Sequence, residues 1–153
     1  MTVPRPKPLW TCPRCGHRFV TKNLWHSCVR VALRTHFRGT AATLYPTYRA
    51  WAALARGCGP VTIYAQKTRI VFQARVRFGG AVVRAEYLDA SLWLRRRVRH
   101  PRLRRIESFG ALGYGLHFRL VKPRDIDAAL GRLMREAYGL ARSGPAARRR
   151  TDA

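Results

Sequence analysis

The spacing of apolar residues predicts an amphipathic helix between about residues 40 and 56. The apolar positions that recur at steps of three and four are Leu44, Tyr48, Trp51, Leu54 and Ala55. Gly39-Thr40 offers an N-cap, and Gly57 offers a C-terminal stop. Because proline is tolerated only in the first turn of a helix, Pro46 places the start of the regular helix near Leu44 or Tyr45.

A second apolar stripe predicts a C-terminal helix that begins at Pro123 and ends between Gly139 and Gly144. Its first turn would contain Asp125 and Asp127, whose carboxylates suit the positive end of the helix macrodipole. The stripe consists of Ile126, Leu130, Leu133 or Met134, Ala137 and Leu140. This face is expected to cover one side of a sheet.

Between the two helices the apolar period shortens from about 3.6 to about 2 residues, which is typical of half-buried strands. The predicted strand segments are residues 61–65, 68–78, 81–88, 88–94 and 113–121. Gly79-Gly80 is predicted to be a turn, and residues 95–107 a basic connection that Pro101 interrupts. Short turns favour an antiparallel meander over βαβ units. The sequence therefore predicts an α+β fold in which an N-side helix and a C-terminal helix pack an antiparallel sheet.

The segment from Trp10 to Cys28 has a pattern typical of a small metal site. Cys12, Cys15, His26 and Cys28 follow the spacing Cys-x2-Cys-x10-His-x-Cys. Four such ligands suit a tetrahedral structural zinc, and roughly twenty residues bury too little surface to fold without one. We therefore expect a zinc knuckle at residues 10–29, with no coordination position open to a substrate.

Other interpretations of this segment stay open. His17 or His36 could replace His26 as a ligand. Without a metal, the two nearest cysteines could form a disulfide, a redox pair or free thiols. A thioredoxin-like redox pair would follow a strand, and nothing before Thr11 resembles one. Cys58, in the turn GCGP, is interpreted as a buried or turn thiol rather than a ligand.

Charge bears on function. The chain has 31 Lys and Arg against 7 Asp and Glu, a formal net charge of +24. Such an excess repels itself, and nucleic acid is the commonest partner that relieves it. A biased coding composition would also enrich arginine, but it would not by itself remove acidic residues. The predicted residues for binding nucleic acid or another anion are Lys67, Arg69, Arg95, Arg96, Arg97, Arg102, Arg105, His117 and Arg119. Trp93 or Tyr114 could stack on unpaired bases.

Motifs of known enzyme chemistry are not found, and the acidic residues are scattered singly along the chain. An enzyme is therefore left open but disfavoured. Residues 1–9 are predicted to be a flexible proline-rich leader, and residues 143–153 a disordered basic tail. No apolar run approaches the roughly eighteen residues of a membrane span, and clustered cysteines without an export signal suggest a reducing cytoplasm.

Several motifs recur together and in order: W-T-C-P-x-C-G-x-x-F, W-H-S-C, H-F, G-P-V, K-T-R-I-x-F-Q, H-P-R-L-R-R-I-E, H-F-R-L and E-A-Y. In this the chain resembles an uncharacterised bacterial domain-of-unknown-function family, catalogued as fifty-six fifty-five, in its short form with an N-terminal Cys/His segment. The resemblance covers residues 9–140 and implies a compact α+β domain, placed here at residues 30–142, with no established activity. It draws attention to Lys67, Arg69, Arg105, His117 and Arg119 without assigning them roles. Pro46 departs from the family pattern, in which a proline usually sits nearer the helix start.

Three functions are compatible with these features. The first is a nucleic-acid- or polyanion-binding module. The second is a protein-interaction or adaptor domain, in which the zinc knuckle docks a partner and the arginines are compositional. The third, with the least support, is an enzyme or binder of an anionic small molecule, with Lys67, Arg69 and His117 lining its pocket.

Overall fold

The structure is a computed structural model that describes residues 8–20, 22, 28 and 31–143. The proposed metal ligand His26 lies outside the described residues, as do most of the predicted leader and all but the first residue of the predicted tail. The short strands β1 (Trp10–Thr11) and β2 (Arg18–Phe19) pair antiparallel and form a hairpin around the turn that carries Cys12 and Cys15.

The first long helix, α1, spans Leu44–Cys58. Pro46 therefore lies in the first turn, where its missing N–H has no partner to lose, as the sequence predicted. The helix starts at Leu44, as Pro46 indicated, but the predicted caps are wrong: the N-cap is Thr43 rather than Gly39-Thr40. At the other end the helix continues through Gly57 to a C-cap at Gly59 with a φ of 146°.

Six strands form one antiparallel sheet: β3 (Thr62–Ala65), β4 (Ile70–Gln73), β5 (Arg77–Val83), β6 (Leu88–Leu94), β7 (Leu103–Ser108) and β8 (Tyr114–Leu120). Their order is β3-β4-β5-β6-β8-β7, so the meander holds for the first four strands and β8 then pairs with β6. The prediction that residues 95–107 form only a basic connection is wrong, because β7, the strand at the far edge, begins at Leu103.

The predicted turn at Gly79-Gly80 is also wrong, because both glycines lie inside β5 and the turn falls at residues 74–76. Gly80 has a φ of 152°, and a Cβ there would collide with the carbonyl oxygen of Ile70. Its own carbonyl accepts a hydrogen bond from the indole N–H of buried Trp51, at 3.0 Å. A glycine inside a strand here marks close approach of backbones rather than a reversal of the chain.

The C-terminal helix, α2, spans Ala128–Ser143 and starts later than predicted. Pro123–Asp125 forms a separate 3-10 turn, so Asp125 is not in the first turn of α2. Asp127 caps the helix instead, because its carboxylate accepts a hydrogen bond from the backbone N–H of Leu130 at 2.8 Å. Among the described residues, no helix combines the length and apolar character needed to cross a membrane.

Both helices cover one face of the sheet, and the hydrophobic core lies between them and the strands. The predicted α+β architecture is therefore confirmed. The other face, here called the hairpin face, carries the β1–β2 hairpin at its β3–β4 end. One cross-strand row on this face runs through all six strands: Tyr64, Val71, Gly80, Ser91, His117 and Arg105. Small side chains at Gly80 and Ser91 leave the middle of the row shallow.

Candidate functional site

Three cysteine sulfurs converge at the hairpin. The Sγ atoms of Cys12, Cys15 and Cys28 all lie within 4.8 Å of one another, and those of Cys12 and Cys28 are 3.8 Å apart. Two sulfurs bound to one zinc at about 2.3 Å, at corners of a tetrahedron, lie about 3.8 Å apart. The three thiols thus have the spacing of ligands that share one metal ion.

The hairpin backbone favours the thiolate that a metal needs. Hydrogen bonding from the backbone N–H of Cys15 lowers the pKa of Cys12 to about 6, even though burial opposes this shift. Burial raises the pKa of the Cys28 thiol, and the neighbouring Cys12 and Cys15 raise it further. Three sulfurs so close together repel one another when ionised, and a bound cation would remove that repulsion.

The two alternative histidine ligands have other partners. His17 Nε2 lies 2.6 Å from the side-chain oxygen of Gln73, and His36 Nε2 donates to the carbonyl of Gln66 at 2.7 Å. Within the described part of the chain, the group of potential metal ligands comprises the three cysteines and neither histidine. Cys58 is the last residue of α1, and its thiol donates to the carbonyl of Leu54 at 3.3 Å.

Gln73 joins the hairpin to the sheet. Its side-chain oxygen faces His17, and its amide nitrogen donates to the carbonyl of Arg18 at 2.7 Å. The Tyr64 hydroxyl donates to the same oxygen at 3.3 Å and accepts from Arg77 Nε at 2.9 Å. Gln73 is only 4% exposed, so both of its polar groups depend on these partners. The cysteine hairpin is thereby held against the hairpin face.

The structure places five of the predicted anion-binding residues on or beside the hairpin face. Arg105 and His117 are directly opposite each other on β7 and β8, and Arg119 follows on β8 with its guanidinium 4.2 Å from the centre of the Tyr87 ring. Lys67 and Arg69 are exposed in the β3–β4 turn, where Arg69 Nε donates to Gln66 at 3.0 Å.

The remaining predicted residues lie elsewhere. Arg95, Arg96 and Arg97 follow β6, and Arg96 makes two hydrogen bonds to Glu136 on α2, at 3.0 and 2.8 Å, on the helix-covered side of the sheet. Arg97 lies 5.0 Å over the Tyr114 ring. Arg102 pairs with buried Asp125 at 2.8 Å. Arg96 and Arg97 therefore have partners away from His117, whereas Arg95 lines a cavity with Phe19, Trp93 and Leu112.

A second polar group, here called the His117 cluster, comprises Asp89, Arg105, Glu107 and His117. His117 Nδ1 lies 3.0 Å from Asp89 Oδ1, and His117 Nε2 lies 2.9 Å from Glu107 Oε1. Arg105 contacts the same Glu107 oxygen at 2.9 Å. The cluster sits on three neighbouring strands, β6, β8 and β7.

A cleft of about 450 Å³ runs along the hairpin face from Arg69 to His117 and Glu107. Its wall includes Phe109, which stacks on Trp93 with ring centres 4.7 Å apart and is 42% exposed. The volume is within the range of about 300–1,000 Å³ that small-molecule sites occupy.

Sequence reasoning missed Asp89, Glu107, Gln73 and Phe109. Alternation along LDASLWL puts Asp89 and Trp93 on the polar side of β6, so part of the signal was present. The missing information was that β8, rather than β7, pairs with β6. Acidic residues scattered along the chain become neighbours only through that pairing.

Comparisons with known proteins support the family resemblance. No curated protein and no solved structure matches the chain. A family model described as Domain of unknown function (DUF5655) matches residues 34–141, which is more than half of the sequence and includes both helices almost entirely and the whole six-stranded sheet. The chain therefore belongs to the DUF5655 family, with the cysteine hairpin placed before the matched domain.

Proposed function

We propose that this protein is a zinc-stabilised module that binds nucleic acid along the hairpin face of its sheet. The observation that carries the proposal is the stack of exposed Phe109 on Trp93, which lies on the same cleft as Arg69 and next to the His117 cluster. Proteins that bind single strands combine guanidinium or ammonium groups for phosphates with aromatic rings for bases.

Charge supports a polyanionic partner. Seven acidic residues can neutralise only a small part of 31 Lys and Arg. Among the described residues, five acids already have a basic partner, through pairs such as Arg96–Glu136 and Arg102–Asp125. Most of the basic side chains therefore have no carboxylate to pair with, and binding a phosphate backbone would relieve their mutual repulsion.

The aromatic stack is suited to an unpaired base. The indole N–H of Trp93 donates to the carbonyl of Leu112 at 2.9 Å, which fixes the ring that supports Phe109. Gly115 lies beneath Phe109, and a Cβ at this position would stand 3.2 Å from the Phe109 ring. A rigid, partly exposed ring offers its face to a base with little loss of side-chain entropy.

Zinc is the proposed occupant of the cysteine site. Thiolates favour zinc among the common structural metals, and His26 is the proposed fourth ligand. The hairpin is small and depends on Gln73 for its contact with the sheet, so the metal would supply much of its stability. None of the four cysteines forms a disulfide, which suits a reducing compartment, and we propose that the protein is cytoplasmic.

The test is a salt titration with short single-stranded RNA and DNA. Affinity should fall as salt rises, with a slope of about −0.7 per phosphate neutralised, and the double variant Arg69→Gln/Arg119→Gln should lose about two such contacts. Arg49→Gln, on the exposed side of α1, is the matched control and should keep the wild-type slope. No binding at low salt, or an affinity that does not change with salt, would refute the proposal.

A second candidate is a protein-interaction domain. An apolar cavity of about 330 Å³ is lined by Phe19 of the hairpin, by Val76 in the β4–β5 turn and by Leu140 of α2. Leu112, which is 44% exposed, also lines it. This candidate predicts a protein partner that co-purifies in a stoichiometric complex. The complex should survive nuclease treatment and should be lost in the Leu140→Asp variant. If the purified protein instead binds oligonucleotides with the expected salt dependence, nucleic-acid binding is the better account.

A further inference from the structure

The four side chains of the His117 cluster differ in solvent exposure, and two of them are largely buried while the other two are open to solvent. The side chains of Asp89 and His117 are 18% and 19% exposed, whereas those of Glu107 and Arg105 are 40% and 58% exposed. Asp89 thus holds Nδ1 of the ring from the protected side. Nε2, the Glu107 carboxylate and the Arg105 guanidinium meet where a ligand can reach them.

The donor atoms of this cluster do not suit a metal ion. Asp89 and Glu107 contact opposite nitrogens of one imidazole, so the two carboxylates and the ring do not converge on a single point. Arg105 adds positive charge at the Glu107 oxygen, which opposes a second cation. Around one opening, these groups suit acid–base chemistry rather than metal binding. The carboxylate can act as a base, the imidazole as an acid and the guanidinium as a group that binds an anion.

We infer that this protein cleaves single-stranded RNA, and that Glu107, His117 and Arg105 perform the reaction. The inference rests on the proposed nucleic-acid binding and assigns it a chemical outcome. The cleft beside the cluster would hold one nucleotide, with its base against Phe109 and its 3′-phosphate at Arg105.

Glu107 accepts the proton of the ribose 2′-hydroxyl, and the 2′-oxygen attacks the adjacent phosphorus. The bond from phosphorus to the 5′-oxygen of the next nucleotide breaks, and His117 Nε2 gives that oxygen its proton. The products are a 2′,3′-cyclic phosphate and a 5′-hydroxyl, and proton exchange with water restores both side chains. Arg105 binds the non-bridging oxygens, whose negative charge grows in the transition state.

The acid and the base already lie side by side. His117 Nε2 and Glu107 Oε1 are 2.9 Å apart, so each can reach a proton that the other holds. In the complex, the 5′-oxygen and the 2′-hydroxyl would replace this contact. Asp89 is a positioning residue, because it contacts only the far nitrogen and holds the ring in one orientation.

The chemistry selects RNA over DNA, because the nucleophile is the 2′-hydroxyl of the substrate itself. The experiment uses the full chain in magnesium-free buffer with a labelled single-stranded RNA, the same sequence as DNA, and an RNA with one 2′-deoxy linkage. We expect cleavage of the RNA alone, no cleavage at the deoxy linkage, and cyclic-phosphate ends. Glu107→Gln should slow cleavage by about 100-fold or more without weakening RNA binding, since general acid–base groups contribute about 10²–10⁴-fold.

Glu86→Gln, an exposed acid in the β5–β6 turn, is the matched control, purified in parallel, and should cleave like wild type. Asp89→Asn should lower kcat and leave KM unchanged. Wild-type protein that binds RNA and leaves it intact would overturn this inference and leave the proposed binding in place. Equal cleavage of DNA, or an unchanged rate in Glu107→Gln, would also overturn it. Failure to bind any oligonucleotide at low salt would refute the proposed function and this inference together.

Discussion

The imidazole of His17 and the side-chain amide of Gln73 lie 2.6 Å apart and link the cysteine hairpin to the hairpin face of the sheet. They are far apart in sequence, and both are largely buried, with 8% and 4% of their surface exposed. A hydrogen bond of this kind contributes modestly when formed but costs more when one partner is removed. Loss of the hairpin would therefore destabilise the sheet at Gln73, whose buried side chain would lose its hydrogen-bond partners.

Replacing Gln73 with leucine is expected to destabilise the protein by about 2–5 kcal/mol, because His17 and the Arg18 carbonyl would each lose a partner in a buried setting. Urea denaturation followed by tryptophan fluorescence measures the change. Thr62→Val, at the exposed position paired with Gln73 on β3, should change stability by less than about 0.5 kcal/mol. Equal stability of Gln73→Leu and wild type would show that the hairpin contact contributes nothing.

Protein purified under reducing conditions should contain one zinc per chain. Cys12→Ser should remove it, because two thiolates and His26 leave the tetrahedral site one ligand short. Cys58→Ser should retain it, because Cys58 bonds within α1. Metal content by mass spectrometry gives the answer directly. His26→Ala should weaken zinc retention if His26 is the fourth ligand, and unchanged affinity would exclude it.

Gly80→Ala should prevent stable folding or cost more than about 3 kcal/mol. A Cβ at this position would enter the carbonyl oxygen of Ile70, and the φ of 152° is unfavourable for alanine. Gly57→Ala is the converse test, since Gly57 lies inside α1 with open space around it. That substitution should raise stability by about 0.5–1 kcal/mol. Thermal denaturation of both variants checks the pair, and a harmless Gly80→Ala would contradict the position of the glycines within β5.

Acid sensitivity should depend on Asp125. Burial alone would raise its pKa, but hydrogen bonds from the backbone N–H groups of Val121 and Lys122, together with Arg102, outweigh burial and lower the pKa. Because the folded-state pKa is lowered, ionised Asp125 contributes stability that is fully present above the unfolded pKa of about 3.9. This contribution is lost as pH falls through the lowered folded-state pKa. Asp125→Asn should therefore cost about 1–3 kcal/mol near neutral pH, and less near pH 2.

The measurement for Asp125 is urea denaturation at a series of pH values. Glu86→Gln removes an exposed acid and should follow the wild-type curve across the series. A difference between Asp125→Asn and wild type that stays constant from neutral to strongly acid pH would contradict the assigned hydrogen bonds.

Phe109→Ala should weaken binding of single-stranded nucleic acid by about 1–3 kcal/mol while changing stability little, because the ring is partly exposed and would stack on one base. Fluorescence anisotropy with a short oligonucleotide measures the loss. Leu112→Ala removes a neighbouring exposed apolar side chain and should bind like wild type. Equal effects of the two substitutions would indicate general apolar contact rather than base stacking.

Local sequence determined the elements of this fold to a large extent. The apolar period of 3.6 residues marks α1 around Trp51, and the period of 2 residues places β6 at Leu88–Leu94 with the bounds that the sequence predicted. The Cys-x2-Cys spacing also brought two sulfurs together without reference to the rest of the chain. These features depend on neighbours within a few residues, so a linear pattern is enough to reveal them.

Tertiary structure decided the arrangement of the sheet and the second polar site. The pairing of β6 with β8 joins Asp89 to His117, and the edge position of β7 adds Glu107 and Arg105. Gly80 becomes a strand residue because Trp51 and Ile70 approach its backbone from other elements. Strand order and register are set by burial of the whole core against both helices. This burial depends on many contacts between residues that are distant in sequence, and local periodicity does not encode such contacts.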